Sequence, residues 1–401
     1  MTKVNAVMED VNLALMRKQR WVQLQRAITN NGLDAVVSFR LENIRYIADL
    51  RPVWGEYLGM VTRYCCVASA SRPEPFIFAE SSDLDRCRSE LEWIPPSNIQ
   101  PMESIEGHSA AASFVAKKLV PCIKTLGASR GRIAVDISSF ALVHEMRRQL
   151  PDATIIDGDF FLKQVKMLKN AEEIKLLRKA AKIADAGITR AKESLRPGRR
   201  ECELVGLAYE VMQSLGMERP QVASICASGE RTVPLHRMST GRILQHGDFV
   251  FMDIGACYGG YFSDETRSVP VGRPNEKAIN VYRAVYSTMK AAVGALKPGN
   301  RTLDVHLAAR GMIKECGYEK FGYYGLLGHG IGTSGQEAPV VGEIVSGGEQ
   351  QVTLQAGMVF TLEPGIFVPG VVGIRLEDNV LITDTGAEVL TSVPYEEDLV
   401  R

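Results

Sequence analysis

The chain has 401 residues, and its 47 basic side chains (Lys and Arg) balance its 47 acidic ones. A chain without excess positive charge has no electrostatic means of attracting nucleic acid or an anionic membrane, which excludes nucleic-acid binding as its main role. Its eight cysteines include no Cys-x-x-Cys pair, which argues against both a thiolate zinc site and a disulfide framework.

No segment is a candidate for crossing a membrane or for export. The N-terminal stretch MTKVNAVMEDVNLALMRKQRWVQLQ is charged and amphipathic, and it lacks the apolar core of a signal peptide. A membrane-spanning helix needs a run of about 18 apolar residues, and the sequence contains none. We therefore predict a cytoplasmic protein that has no membrane partner.

The first 160 residues alternate between helical and strand-like patterns. A helix is predicted over about residues 12–30, and five strand-like segments follow: LDAVVSF, YCCVASA, PFIFAE, RIAVDIS and ATIIDGD. This alternation is typical of an α/β domain, to which we assign residues 1–160.

A long helix begins the second predicted domain, residues 161–401. Asn170 is placed to cap this helix, and Glu173 follows at the spacing of a capping box. Apolar residues then recur every three or four positions, which predicts one buried face. They are Ile174, Leu177, Ala181, Ala184, Ile188 and Ala191.

The second domain contains an internal repeat. The segments LRPGRRECELVGLAYEVMQSLGME and LKPGNRTLDVHLAARGMIKECGYE, which begin at Leu195 and Leu296, align without a gap. In each copy Pro-Gly ends one helix, an acid (Glu203 or Asp304) lies in the next, and a glycine ends that helix. We expect two related halves around a pseudo-twofold axis, with a site between them.

Four carboxylates lie at or within apolar, strand-like segments of this domain, and a histidine lies in the glycine-rich stretch LLGHGIGTSGQEAP. They are Asp253, Asp264, Glu363, Glu377 and His329. Singly, each has an ordinary explanation, such as a turn cap for Asp253 or an ion pair between Glu377 and Arg375. Together, four acids and a histidine cannot share a small interior without cations.

Two divalent ions would balance four carboxylates, and bridging carboxylates suit a pair of ions about 3.5–4 Å apart. Ligands rich in oxygen with one imidazole favour Mn²⁺, Fe²⁺ or Co²⁺, and Zn²⁺ remains an alternative. Such a pair would lower the pKa of a bridging water and polarise a substrate carbonyl.

The motifs MDIGACYGGYFSDETRSV, GHGIGTSGQEAP, TLEPGIF and GIRLEDNVLIT resemble those of the pita-bread, M24-like metallopeptidase family. That family includes Xaa-Pro dipeptidase (prolidase), Xaa-Pro aminopeptidase, methionine aminopeptidase and creatinase. The resemblance implies an α/β (α+β) fold class, with a creatinase/prolidase-like N-terminal domain and a C-terminal pita-bread domain that contains the pseudo-twofold repeat.

Carried over position by position, the resemblance also implies roles for single residues. The five metal ligands are Asp253, Asp264, His329, Glu363 and Glu377. His236, just upstream of the first aspartate, matches a histidine that contacts substrate or transfers a proton. Glu363 matches a glutamate that both binds metal and shuttles protons.

One position departs from the family pattern. Peptidase members, and creatinase too, usually carry a second histidine seven positions after the ligand histidine, where this chain has Gln336. An amide donates a hydrogen bond to an oxyanion but cannot carry a proton. This departure argues against ordinary peptidase activity, but it leaves the metal ligands intact.

We therefore predict a dimetal hydrolase that cleaves a C–N bond in a small substrate, with Xaa-Pro dipeptides as the default of the family and Gln336 near the reacting oxygen. The alternatives are a creatinase-like hydrolase of small amides or guanidines and a lyase resembling the dimethylsulfoniopropionate lyases, which use the same kind of metal site. The intact ligand set argues against a non-catalytic binding module.

Two arginines are candidates for binding substrate. Arg63 precedes a strand, in roughly the place where creatinase has a carboxylate-binding arginine, and guanidinium groups suit carboxylates. Arg375 lies two residues before Glu377 and is the second candidate. The resemblance further implies a homodimer.

Overall fold

The computed structural model describes residues 10–51, 63–103, 105–136, 139–221, 225–235, 237–342 and 351–400. The chain divides into two compact units, one of residues 12–166 and the other of residues 1–11 together with 167–401. The division lies a few residues beyond the 160/161 boundary predicted from the sequence.

The first unit is built on a mixed sheet covered by helices. Its helices are α1 (Leu13–Asn30), α2 (Leu41–Ala48), α3 (Leu84–Glu90), α4 (His108–Phe114), α5 (Val120–Thr125), α6 (Phe140–Gln149) and α7 (Asp159–Val165). Its strands are β1 (Ala35–Ser38), β2 (Tyr64–Ala68), β3 (Phe76–Glu80), β4 (Ile99–Met102), β5 (Arg132–Val135) and β6 (Thr154–Asp157). In the described part of the unit these strands form one sheet in the order β4-β3-β2-β1-β5-β6.

The central strand β1 explains why the predicted segments read as continuous apolar runs. Ala35 and Val37 enter one buried cluster, and Val36, which points to the other face, enters a second cluster. A strand covered on both faces needs apolar side chains at every position. The five predicted strands are confirmed as β1, β2, β3, β5 and β6.

Strand β4 was not predicted from the sequence. It contains Pro101, which cannot donate a hydrogen bond within a sheet. Among the described residues β4 lies at the edge of the sheet and pairs with β3, and an edge strand is where a proline is tolerated.

The second unit combines two long helix pairs with several short sheets. Its helices are α8 (Ala171–Glu193), α9 (Glu201–Ser214), α10 (Glu276–Ala295), α11 (Thr302–Glu315) and α12 (Glu397–Val400). Its strands are β7 (Arg219–Pro220), β8 (Ile225–Ser228), β9 (Phe249–Asp253), β10 (Ala256–Tyr258), β11 (Tyr261–Phe262), β12 (Thr266–Pro270), β13 (Gly328–Gly330), β14 (Glu337–Val341), β15 (Val359–Leu362), β16 (Gly365–Val368), β17 (Val372–Arg375), β18 (Asp378–Ile382) and β19 (Ala387–Val389). The described strands form sheets in the orders β11-β10-β7, β12-β9-β8, β14-β13-β15-β18-β19 and β16-β17.

The start of α8 is the predicted capping box. Asn170 Oδ1 accepts from the backbone of Glu173 at 3.0 Å, and the Glu173 carboxylate accepts from the backbone of Asn170 at 2.9 Å. Of the six residues predicted to form its apolar face, only Ile174 is half-buried, and the other five are buried.

The internal repeat is visible in the backbone. Gly198 and Gly299 occupy the same place in the two copies, and both have φ of +89°. Gly198 donates to the carbonyl of Leu244 at 3.0 Å, and Gly299 donates to that of Leu354 at 2.9 Å. The two copies therefore close the same turn onto the equivalent downstream segment, and each leads into a helix, α9 or α11.

Among the described residues, no helix is both long enough and apolar enough to cross a membrane.

Candidate metal centre

Antiparallel pairing brings carboxylates from the two halves of the repeat together. Asp253 ends β9 and lies opposite Thr266 at the start of β12. The backbone of Glu377, between β17 and β18, donates to the carbonyl of the same Thr266 at 3.0 Å. Asp264 lies two residues before the start of β12, and Glu363 immediately follows β15. In each half one acid lies at the end of a strand, and the other lies beside the start of the strand that pairs with that strand.

The five predicted ligands lie buried around one point. The side chains of Asp264, His329 and Glu377 each place a ligand atom within 4.8 Å of the other two. His329 Nε2 is 3.7 Å from Asp264 Oδ2 and 3.5 Å from Glu363 Oε1. Asp253 joins the group through Arg375, to which it and Glu377 are both hydrogen-bonded. All five residues are at most 5% exposed.

His329 is oriented to present its Nε2 lone pair to the carboxylates. Its Nδ1 lies 3.1 Å from the carbonyl oxygen of Gly330. Because a carbonyl only accepts, Nδ1 is the donor of this contact, and Nε2 faces Asp264 and Glu363. In the neutral tautomer with its proton on Nδ1, Nε2 offers a lone pair to a metal ion. A ring held by its second nitrogen in this way is typical of histidine metal ligands.

The hydrogen bonds of the carboxylate oxygens show whether the cluster could bind a cation. One oxygen of each acid is buried and accepts no hydrogen bond from any donor in the described residues. The four atoms are Asp253 Oδ1, Asp264 Oδ1, Glu363 Oε1 and Glu377 Oε1. Buried carboxylate oxygens without donors are costly unless they bind a cation, so the donor set fits hard divalent ions.

The electrostatics support the same conclusion. Burial, followed by the charges of Glu377, Asp253 and Glu363, raises the pKa of Asp264 well above its usual range. Burial also raises the pKa of Glu377, although the guanidinium of Arg375 partly offsets it. The site therefore resists holding four negative charges unless positive charge is added.

Arg375 supplies part of that charge. Its guanidinium donates to Asp253, to Glu377 at 3.2 Å and to Thr266 Oγ1 at 2.9 Å, and it lies 3.0 Å from Glu363 Oε2. Burial by itself would lower the pKa of Arg375, but the charges of the surrounding carboxylates outweigh burial and raise that pKa above its usual value. The substrate-binding role predicted for Arg375 remains a prediction, because the structure surrounds this side chain with the candidate ligands.

Further polar residues contact the ligands and were not predicted from the sequence. Thr266 Oγ1 donates to Glu377 Oε2 at 2.6 Å, and Thr361 Oγ1 accepts from the backbone of His329 at 3.2 Å. Asn379 Oδ1 accepts from the backbone of Asp264 at 3.2 Å. A local signal existed for all three, because each lies two residues along the chain from a ligand, and such residues share one face of a strand.

Two other contacts carry no such signal. Gln221 Nε2 donates to Asp264 Oδ2 at 2.7 Å, from a segment far away in the sequence. Lys169 and Glu337 form an ion pair at 3.2 Å with both side chains 1% exposed. Glu337 Oε1 also accepts from the backbone of Ser334 at 3.1 Å, so this carboxylate supports the turn that follows His329.

The remaining predicted residues are placed as follows. Gln336 lies at the end of that turn with its side chain exposed, and its backbone donates to Ser334 Oγ at 3.3 Å. Arg63 forms an ion pair with Glu80 in the first unit. His236 lies outside the described residues.

Comparison with known proteins identifies the family of the chain. Residues 175–384 match metallopeptidase family M24, and residues 20–167 match the creatinase/prolidase N-terminal domain. The chain is 30% identical over 379 residues to an Xaa-Pro dipeptidase of Pyrococcus furiosus, covering 94% of this chain and 99% of that one. The chain belongs to metallopeptidase family M24.

Solved structures of an Xaa-Pro dipeptidase and a prolidase have the same fold as this chain. An Xaa-Pro dipeptidase from Bacillus anthracis superposes with a TM-score of 0.80 at 26% identity, covering 95% of this chain and 99% of that one. A prolidase from Pyrococcus horikoshii gives a TM-score of 0.78 at 27% identity, covering 94% and 99%. The predicted α/β fold class, with an N-terminal creatinase/prolidase domain followed by a pita-bread domain, is confirmed.

Membership of M24 also confirms the predicted enzyme class. The protein is a metal-dependent hydrolase, and the family implies divalent metal ions. The cluster around His329 is a group of described residues that could hold such an ion.

Proposed function

We propose that the protein hydrolyses the C–N bond of Xaa-Pro dipeptides or of a small amide related to them, in a centre formed by Asp253, Asp264, His329, Glu363 and Glu377. The observation that carries this proposal is the group of four buried carboxylate oxygens without hydrogen bonds, one from each acid. The relatives named Xaa-Pro dipeptidase, which the chain matches over nearly their whole length, support the substrate class.

The number of ions is part of the proposal. Four carboxylates and the Arg375 guanidinium leave three net negative charges, so charge balance alone is met nearly as well by one divalent ion as by two. The case for two ions rests on the number of free oxygen atoms, which are shared among four acids. Mn²⁺, Co²⁺, Fe²⁺ and Zn²⁺ are the candidates, and metal analysis of the purified protein counts and identifies them.

Bound divalent ions would make a water nucleophilic near neutral pH and polarise the scissile carbonyl. The protein supplies the rest of the chemistry. Glu363, whose Oε2 is held by Arg375, is the residue that would accept the proton of the attacking water and later pass it to the leaving nitrogen. We assign His236 and the amide of Gln336 to hydrogen bonds with the oxygen that gains charge.

Gln336 supports a second candidate function. A neutral amide donates a hydrogen bond but returns no proton, so the residue suits a substrate whose leaving group needs no proton from this position. A small amide or guanidino compound, as in the creatinase branch, meets this condition. The exposed position of Gln336 on the turn after His329 is compatible with contact to a substrate.

An activity screen of the protein loaded with Mn²⁺ or Co²⁺ tests both candidates. It compares kcat/KM for several Xaa-Pro dipeptides, creatine-like guanidines and dimethylsulfoniopropionate, in the wild-type protein and in Gln336→His. Losing an oxyanion donor outright costs about 10²–10³ in kcat, so replacing a histidine by a glutamine should cost about 10–100-fold on a peptide. We expect Gln336→His to raise dipeptidase activity and to leave metal content unchanged. Wild-type values of about 10⁴ M⁻¹s⁻¹ or more on dipeptides would show that Gln336 does not change the substrate class.

Arg63 is proposed as an anchor for a substrate carboxylate. Its ion pair with Glu80 holds the guanidinium in place within the first unit. Arg63→Ala should raise KM for a carboxylate-bearing substrate and leave kcat largely unchanged. An unchanged KM would remove the residue from the site.

A further inference from the structure

Gln221 is the polar side chain that reaches the candidate ligands from outside the strands that carry them. It follows β7, and its backbone donates to the carbonyl of Gly255 at 2.9 Å. Its side chain Nε2 donates to Asp264 Oδ2 at 2.7 Å. No motif for metal binding includes this residue.

The hydrogen bond makes the two oxygens of Asp264 differ in their contacts. Oδ2 accepts the amide proton of Gln221, whereas Oδ1 is buried and accepts from no donor in the described residues. Fixing one oxygen fixes the rotation of the carboxylate, and this directs the other oxygen. Hydrogen bonds from outside a metal site orient its ligands in this way.

The side-chain amide of Gln221 also lies against the turn that carries Gln336. A Cβ atom added at Gly335 would lie 2.9 Å from Gln221 Nε2, 3.1 Å from its Cγ and 3.3 Å from its Cδ. The absence of a side chain at Gly335 is therefore what leaves room for the amide beside Asp264. Gly335 immediately precedes Gln336, so the amide contacts both a candidate ligand and the turn that carries the proposed oxyanion donor.

We propose that Gln221 is a positioning residue that aims the carboxylate of Asp264 at the cation and that depends on Gly335 for its own position. This proposal rests on the proposed metal centre. It assigns Gln221 to the metal site, where neither motif spacing nor strand periodicity places it.

The test measures cation binding directly and needs no substrate. Co²⁺ is titrated into the metal-free full-length protein against a competing chelator, and its visible absorption reports the geometry of coordination. Gln221→Met keeps the length of the side chain and removes the donor. Gln355→Met, at an exposed position, is the matched control.

If Gln221 orients Asp264, Gln221→Met should bind Co²⁺ about 10–100-fold more weakly and show an altered Co²⁺ spectrum. The thermal unfolding of the metal-free protein should be unchanged, and Gln355→Met should bind as the wild type does. Equal affinity and an equal spectrum in Gln221→Met would overturn the inference and leave the metal centre intact. A wild-type protein that fails to bind Co²⁺ would overturn the metal centre itself, and the inference with it.

A double-mutant cycle tests the contact with Gly335. Gly335→Ala should weaken Co²⁺ binding in the wild-type protein, because its methyl group displaces the amide. The same change should cost little in a Gln221→Ala background, where the space is empty. Equal costs in both backgrounds would show that the two residues act independently and would contradict the proposed dependence.

Discussion

At the scale of single residues, the protein is governed by the cost of burying charge. Asp264 is 4% exposed, and one of its oxygens accepts no hydrogen bond from the described residues. The side chain of Asp49, in the first unit, is only 8% exposed, but it lies among arginines. The two aspartates differ in what neutralises them, and this difference separates a candidate ligand from a structural residue.

Asp264→Asn should uncouple metal binding from stability. The substitution removes one negative charge from the cluster, so we expect bound metal and activity to fall by at least 10-fold. The thermal midpoint of the metal-free protein should rise, because repulsion among the carboxylates is relieved. Metal analysis, activity and thermal unfolding of the chelated protein measure the three effects, with the exposed Asp384→Asn as control. Full metal content in Asp264→Asn would exclude Asp264 as a ligand.

Asp49 should make stability depend on pH. Burial alone would raise the pKa of Asp49, but the guanidinium groups of Arg45, Arg20 and Arg17 outweigh it and lower the pKa. A carboxyl group with a lowered pKa stabilises the fold above the pKa of the unfolded chain, near pH 4, and this stabilisation is lost as pH falls through the folded value.

Asp49→Asn keeps the shape of the side chain and removes its charge, and asparagine tolerates the positive φ of 62° at this position. At pH 7 the variant should lose about 3 kcal/mol of unfolding free energy, because the ion pairs of this carboxylate with three guanidinium groups are lost. Urea unfolding at several pH values should show the difference shrinking below about pH 4. A difference that stays constant with pH would contradict the assignment.

At the scale of elements, strand periodicity explains how the site is built and the Lys169–Glu337 ion pair explains how its turn is held. Thr266 and Asp264 lie two residues apart and so face the same way, as do Arg375 and Glu377. The turn between β13 and β14 has no such regularity. It folds around the Glu337 carboxylate, which Lys169 neutralises.

Lys169→Met should be strongly destabilising. It leaves the Glu337 carboxylate buried and without its cation, and breaking a buried pair costs about 3–5 kcal/mol. Lys163→Met is the control, because Lys163 pairs with Asp159 at 2.8 Å while its own side chain is 42% exposed. Exposed pairs contribute about 0–1 kcal/mol. Chemical denaturation of both variants compares them, and equal losses would show that burial of the Lys169 pair is not decisive.

At the scale of the whole molecule, duplication accounts for the second unit. Each half contributes a helix pair, α8–α9 or α10–α11, and a pair of acids next to paired strands. The site forms only when the halves face each other, because neither half carries more than two of the four carboxylates. The homodimer implied by the family resemblance remains a prediction, which analytical ultracentrifugation checks.

The repeat predicts that alanine substitutions at equivalent glycines lower the free energy of unfolding by similar amounts. A Cβ atom at Gly198 or Gly299 meets no atom within 4 Å, so only their shared φ of +89° opposes a side chain. Gly198→Ala and Gly299→Ala should each lower the free energy of unfolding by about 1–2 kcal/mol. Gly294 lies within helix α10, and a Cβ atom there also meets no atom within 4 Å. Gly294→Ala should therefore raise the free energy of unfolding by about 0.5–1 kcal/mol. Unequal losses at Gly198 and Gly299 would show that the two turns are not mechanically equivalent.

The sequence by itself determined five strands of the first unit, the capping box at Asn170 and the repeat, because each depends on neighbouring residues or on a fixed spacing. It also singled out the four acids, since a carboxylate at the end of an apolar run is conspicuous wherever it lies. The sequence did not determine which groups Arg375 contacts, because its position two residues before Glu377 indicates only which way its side chain faces.

Only the tertiary structure decided which distant groups meet. Gln221 and Asp264 are brought together by the pairing of β7 with β10, and Lys169 and Glu337 by the packing of the chain around the second unit. Strand β4 likewise needed the sheet, because its proline is tolerated only at an edge. Local patterns record how a residue's neighbours along the chain are arranged, whereas contacts across the fold depend on the register and packing of elements that no single segment encodes.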